Sequence, residues 1–436
     1  MPMEDRSHKR ILTIPAAVPF LRTVAAGLCD GRVLPSFRYD PDDPLSLSRV
    51  TIYVPTRRAA RVLRSEFVDL LGGRSAILPV IRPLGEVDDD AGYFDAEPDK
   101  DLDLLPPVSV LTRLIELARL VLAWRNQLPR HLLSVHDDSP LVAPASPADA
   151  IWLARSLIEL IDAVETEETG WAGVEKFGEA DRALWWELSG AFIKVASEFW
   201  PARLAELNRS SPALHRNLAI RAEAARIGRD GTKGPVIVAG STGSIPATAD
   251  LIAAIHGLEM GAVVLPGLDM AMNAPDWLLA GAIQRDSSRN PDPGSRSHPQ
   301  YGLFHLLSKL KVDREEVVVL GDSEPAIDAR LGAASTAFLP SQSEIHHHDF
   351  RQEQGPALAE AFADVALVEA ANEREEALAV AIALKLALDR GGPETQAALI
   401  TTDRTLARRV SSELLRFGIE ADDSAGKPLA SSQHGS

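Results

Sequence analysis

Arg57, Arg58, Arg61 and Arg64 follow directly on a proline and a threonine, and that order of residue types suits a phosphate backbone. In VTIYVPTRRAARVLR (Val50 to Arg64) the apolar run favours a strand, Pro55 ends it, and Thr56 is a natural N-cap for the helix that follows. Such a helix presents free backbone N–H groups, the positive end of its dipole and the cations Arg57, Arg58 and Arg61. Together these make an anion site at the end of a strand. The same arginines also fit an ordinary solvated helix face, so the segment has to be weighed with the rest of the chain.

Other groups that could do chemistry are sparse. A phosphate loop of the form G-x-x-x-x-G-K-[ST] does not occur; where one would follow the first strand, ILTIP, the chain has Pro15, Ala16, Ala17, Val18 and Pro19. A strand ending in an acidic pair would position Mg²⁺ and water, but VIVA ends in Gly240, Ser241 and Thr242. His346, His347 and His348 stand beside Asp349, yet adjacent histidines cannot all face one ion on a helix or strand. The single cysteine, Cys29, excludes internal disulfides and multi-thiolate metal sites and fits a reducing compartment. Trp124, Trp152, Trp185, Trp186 and Trp200 could stack on bases, but their helical spacing favours a packed core. No catalytic residue, cofactor or metal ligand is therefore assigned.

The elements that position these groups fall into an α/β pattern. ILTIP opens a first strand, a short helix spans about Phe20 to Asp30, and the strand and arginine helix follow. The acidic stretch Asp88 to Asp103 reads as a solvated linker. From Pro107 to about Ile227 apolar residues recur at three and four spacing, as in VSVLTRLIELARLVLAW and IWLARSLIELIDAVE, which predicts an all-helical insertion. Strands return in Pro235 to Ile255 and Gly261 to Asp269, then in EVVVLGD (Glu316 to Asp322), with a loop at Gln284 to Gln300. The last stretch reads as strand, helix, strand (AALITT), helix (Leu406 to Phe417) and the strand start GIEADD. The formal charge of −17 and pI near 5.1 oppose general polyanion binding, so any nucleic-acid contact must be local. The N-terminus makes a poor signal peptide and no run suits a bilayer span, so a soluble cytoplasmic protein is expected.

In this order the pieces resemble a superfamily 1 helicase core of the UvrD type: a RecA-like parallel-sheet domain with an all-α insertion, then the start of a second RecA-like domain. VPTRRAARVLR is similar to the Thr-x-x-x-Ala-Ala segment that holds single-stranded DNA in that superfamily, with Thr56, Ala59 and Ala60 keeping the frame. LITTDRTLARRVSSELLRFGIEADD resembles its motif IV region, with Thr402, Asp403 and Arg404 in the loop. Within the superfamily the chain resembles the B subunits of AddAB helicase-nucleases. LTIPAAVPFL, DPLSLSRVTIYVPTRRAARVLRSEFVDLLGG, VIVAGSTGSIPATADLIAAI, GAVVLPGLD and HPQYGLFHLL carry the likeness along nearly the whole chain.

The resemblance implies domains at 1–105 and 233–275 (RecA-like), 106–232 (helical insertion), 276–365 (insertion and linker) and 366–436 (start of the second RecA-like domain). It implies a non-catalytic part that holds DNA, single-stranded or a duplex end, and an AddA-type partner during double-strand break repair. Thr56, Arg57, Arg58, Arg61 and Arg404 would be the DNA contacts. B subunits continue to a nuclease that this sequence lacks, so it reads as an N-terminal portion. The alternatives are an ATP-dependent helicase or exonuclease subunit active in its own right, and a pure interaction scaffold whose arginine helix docks on an acidic partner.

Overall fold

A computed structural model describes residues 10–84, 104–128, 146–171, 183–281, 296–340, 343, 347–392, 395–424 and 426. The acidic stretch at 88–103, most of the loop at 284–300 and the side chains of His346, His347 and His348 lie outside what is described. The chain divides into two compact units, Met1–Glu353 and Gln354–Ser436.

The first unit is built on an all-parallel sheet of β1 (Arg10–Ile14), β2 (Thr51–Val54), β3 (Val80–Pro83), β4 (Val236–Ala239), β5 (Gly261–Pro266) and β6 (Val318–Val319), in the order β3-β2-β4-β5-β1-β6. Alternate residues of the central strands feed opposite faces, which is why these segments read as continuous apolar runs. Leu12, Ile14, Ile52, Val54, Ile237 and Val264 join α1 (Phe20–Cys29) and α2 (Arg57–Leu71) in one core. Ile11, Tyr53, Val236, Val238, Val263 and Leu265 face the other way.

Between β3 and β4 come α3 (Val110–Gln127), α4 (Pro147–Glu167), α5 (Ala183–Lys194) and α6 (Trp200–Leu207), which share a separate core around Leu117, Val121, Leu157, Ile161 and Trp200. Arg113 on α3, only 4% exposed, donates two hydrogen bonds to Asp162 on α4, at 3.0 and 2.7 Å. The following α7 (Pro212–Asp230) packs instead on the sheet, through Ile220, Ala224 and Ile227. It shares that core with α8 (Pro246–His256) and α10 (Tyr301–Leu310), α9 (Ala274–Gly281) lying between them in the chain.

Two polar clusters fasten α7. Buried Glu223 accepts hydrogen bonds from the Tyr53 hydroxyl at 2.6 Å and from Arg226 at 2.7 and 2.8 Å, with Arg82 of β3 at 3.5 Å. Burial alone would raise the Glu223 pKa, but hydrogen bonds from Arg226 and Tyr53 and the charges of Arg226 and Arg82 outweigh it and hold the carboxyl below its ordinary value. Arg221 donates to both oxygens of Glu168, just past α4, and to Asp250 of α8, which also accepts from Lys309 of α10. Side chains of α7, α8 and α10 thus brace the end of α4 against the sheet layer.

After β6 come α11 (Pro325–Ala337) and α12 (His347–Ala361), the latter leading into the second unit. There α13 (Glu373–Arg390) and α14 (Arg404–Arg416) pack through Ala377, Ala381, Val410 and Leu414. Asn372 and Asp403 cap them by accepting from backbone N–H groups. The strands expected from ALVEA, AALITT and GIEADD do not form: residues 365–370, 395–402 and 418–423 carry no ladder. A strand requires a hydrogen-bonded neighbour, and propensity alone does not supply one. Leu367 and Ile400 stand 87% and 95% exposed as a result.

Candidate functional site

The arginine helix is held as its sequence dictates. Thr56 adopts extended geometry and its side chain accepts from the Ala59 N–H at 3.1 Å, while Gly72 closes the far end at φ 57°. Ala60, Leu63, Phe67 and Leu71 are buried against the sheet. That leaves Arg58 and Arg61 exposed and Arg57 half-buried. The first turn holds no acidic residue, so the two N-terminal turns add cations to the positive dipole end. Arg57 and Arg58 also interact within the chain. Arg64, by contrast, is structural: its Nη2 donates to the Ile81 carbonyl of β3 at 3.2 Å.

Removing the cap isolates its contribution. Thr56→Ala is expected to lower the unfolding free energy by about 1 kcal/mol, with Thr56→Ser restoring it, as read by urea denaturation.

Beside the helix N-terminus the ends of the neighbouring strands β2 and β4 meet the start of α1. Gly240, just after β4, sits at φ 83°, and a Cβ there would lie 3.2 Å from Phe20 of α1 and 3.5 Å from Pro55. The backbone angle calls for glycine, and a side chain there would also crowd the Phe20 ring. The chain leaves β2 for α2 on one face and β4 for α8 on the other, so connections diverge between these neighbouring strands, the kind of position at which α/β proteins bind ligands.

The phosphate slot after β1 holds a turn closed by the Val18 N–H on the Pro15 carbonyl at 3.0 Å, and Pro19 starts α1 without a side-chain cap. Neither a lysine nor a glycine stands there, and Gly240 to Thr242 offer no carboxylate after β4.

Arg404 lies in the second unit, where its guanidinium donates twice to Asp423, at 3.0 and 2.6 Å. Trp124 and Trp200 are 6% and 1% exposed in the helical core, so they offer no base-stacking surface. Trp152 is 66% exposed, and the side chains of Trp185 and Trp186 lie outside the described residues. Among the described residues no group of three His, Cys, Asp or Glu is placed to hold a metal ion, and no helix is long and apolar enough to cross a membrane.

Sequence reading does not single out the partners that fix this region. Glu223 is one polar residue among several on α7, and only the fold brings it to Tyr53, 170 positions earlier. No family model matches the chain. No curated protein matches it either.

Proposed function

We propose that this chain is the helicase-like, non-catalytic part of the B component of an AddAB-type helicase-nuclease, a cytoplasmic protein that holds DNA beside its AddA-type partner during double-strand break processing. The observation that carries the reading is the Thr56-capped helix α2, whose first two turns carry Arg57, Arg58 and Arg61 at the C-terminal end of a parallel sheet. Backbone N–H groups, dipole and guanidinium groups there address a phosphate without reading bases, as a sequence-independent holder of DNA requires. The parallel sheet interrupted by helices with their own core supports a RecA-like assignment of the first unit. The proline turn after β1 supports a holding role over ATP hydrolysis. Arg404, already bonded to Asp423, is assigned the lesser share of DNA contact.

The test is single-stranded DNA binding by the purified chain, followed by fluorescence anisotropy across a salt series. Arg57→Ala with Arg58→Ala is expected to weaken binding about tenfold and to reduce the salt slope by about one unit per arginine. Ala60, Leu63 and Phe67 anchor the helix independently, so an unchanged thermal melt shows that the loss is local. Unaltered affinity and slope would sink the reading; binding seen only with the AddA-type partner present would favour a scaffold.

A further inference from the structure

A second opening lies at the same end of the sheet, where the loops after β5, β1 and β6 surround a cavity of about 620 Å³. That volume falls within the range of small-molecule sites. The chain leaves β1 for α1 on one face and β5, by way of α9, for α10 on the other, so this cavity too sits where connections from adjacent strands diverge.

Its walls are fixed in advance. The Gln300 side chain accepts from the Asp269 N–H at 3.1 Å and donates to the Gly267 carbonyl at 3.0 Å, and Arg314 donates to the Asp269 carbonyl at 3.3 Å. Asp269 Oδ1 accepts from the N–H groups of Ala271 and Met272, both at 2.9 Å. The remaining wall is α11, a helix of 13 residues with none buried. Its Leu331 and Ser335, and Phe338 just beyond it, line the cavity. Most helices in proteins owe their stability to packing of one face, whereas α11 buries no residue and borders the cavity instead.

The lining also has a sign. Asp269, Asp322 and Asp328 contribute carboxylates, and among the described residues no lysine or arginine lines the cavity. His298 does not offset them, because burial lowers its pKa and leaves the ring neutral at pH 7. Phosphates and other anions are repelled. A bare metal ion is disfavoured as well, since among the described residues no three such ligands are grouped to hold one.

We propose that this cavity binds a small organic ammonium ion, its apolar or aromatic body against Met272, Leu331 and Phe338 and its amine toward Asp322, on a side of the cavity that Asp269 and Asp328 also make negative. The site is independent of the arginine helix. Three probes of one skeleton separate charge from shape: 4-phenylbutylamine, 4-phenylbutan-1-ol and 4-phenylbutyrate, titrated by calorimetry into the intact chain, with Mg·ATP as a fourth arm. The amine is expected to bind about tenfold tighter than the alcohol, and the carboxylate and nucleotide more weakly than either. Asp322→Asn should remove most of the amine's advantage. Ser335→Trp, on a helix with no buried residue, should abolish binding while leaving the thermal melt of the free chain unchanged. Equal affinity for amine and alcohol, preference for the carboxylate or nucleotide, or amine binding that persists in both variants would overturn the proposal.

Discussion

Glu223→Gln is expected to cost about 3 kcal/mol of stability at pH 7, a large share of what a domain has. Glu223 is 5% exposed and receives the Tyr53 hydroxyl and two hydrogen bonds from Arg226, with Arg82 near. An amide cannot accept all of these, and it leaves two guanidinium groups facing each other without their counter-charge. Tyr53 cannot supply that charge, because burial, and then Glu223 beside it, push the phenol pKa up and keep it protonated. The pH dependence follows from the direction of the Glu223 shift. A carboxyl held below its ordinary value stabilises the fold above about pH 4.3 and loses that contribution as pH falls through the depressed folded value. Wild type should therefore lose stability steeply on acidification, and the variant less so. Urea unfolding at pH 7 and through the acid range measures both, and equal slopes would refute the assignment.

Trp200→Ala is expected to cost about 4 kcal/mol, through lost burial and the cavity left behind. Trp200 is 1% exposed, in a core with Leu117, Val121, Leu157 and Ile161. Trp200→Phe keeps most of the volume and should cost about half as much. If the ring were a base-stacking platform, Trp200→Phe would leave stability alone and weaken DNA binding; the burial dictates the reverse. Trp152→Ala, at 66% exposure, should change stability by less than about 0.5 kcal/mol. Thermal melts and DNA anisotropy on the three variants separate the two roles.

Where sequence and fold agree, a local signal and a tertiary partner point the same way. β1, β2, β4 and β5 are apolar runs that the sheet buries on both faces, and the Thr56 cap and Gly72 stop bound α2 as their chemistry requires. β3 is harder to see, because it is four residues long, begins after Pro79 and ends on Pro83, so only pairing with β2 makes it a strand. EVVVLGD shrinks to the two residues of β6, an exposed edge that pairs with β1 alone. In the second unit AALITT has the right composition and no ladder. The proposed anion site is legible because its residues are consecutive. The cavity proposed for an ammonium ion is not, because its lining runs from Thr13 to Phe338, and no local spacing encodes that meeting.

Cys29 closes α1 half-buried against the α1–α2 core, and desolvation, with Asp30 adding to it, pushes its thiol up to about 11. At neutral pH almost no thiolate exists there, so maleimide and iodoacetamide dyes react with it slowly. The natural chain is in effect a cysteine-light background. Val68, 56% exposed on α2, then becomes a single labelling position through Val68→Cys, with a dye on the helix that carries the arginines and no need to engineer away the native thiol.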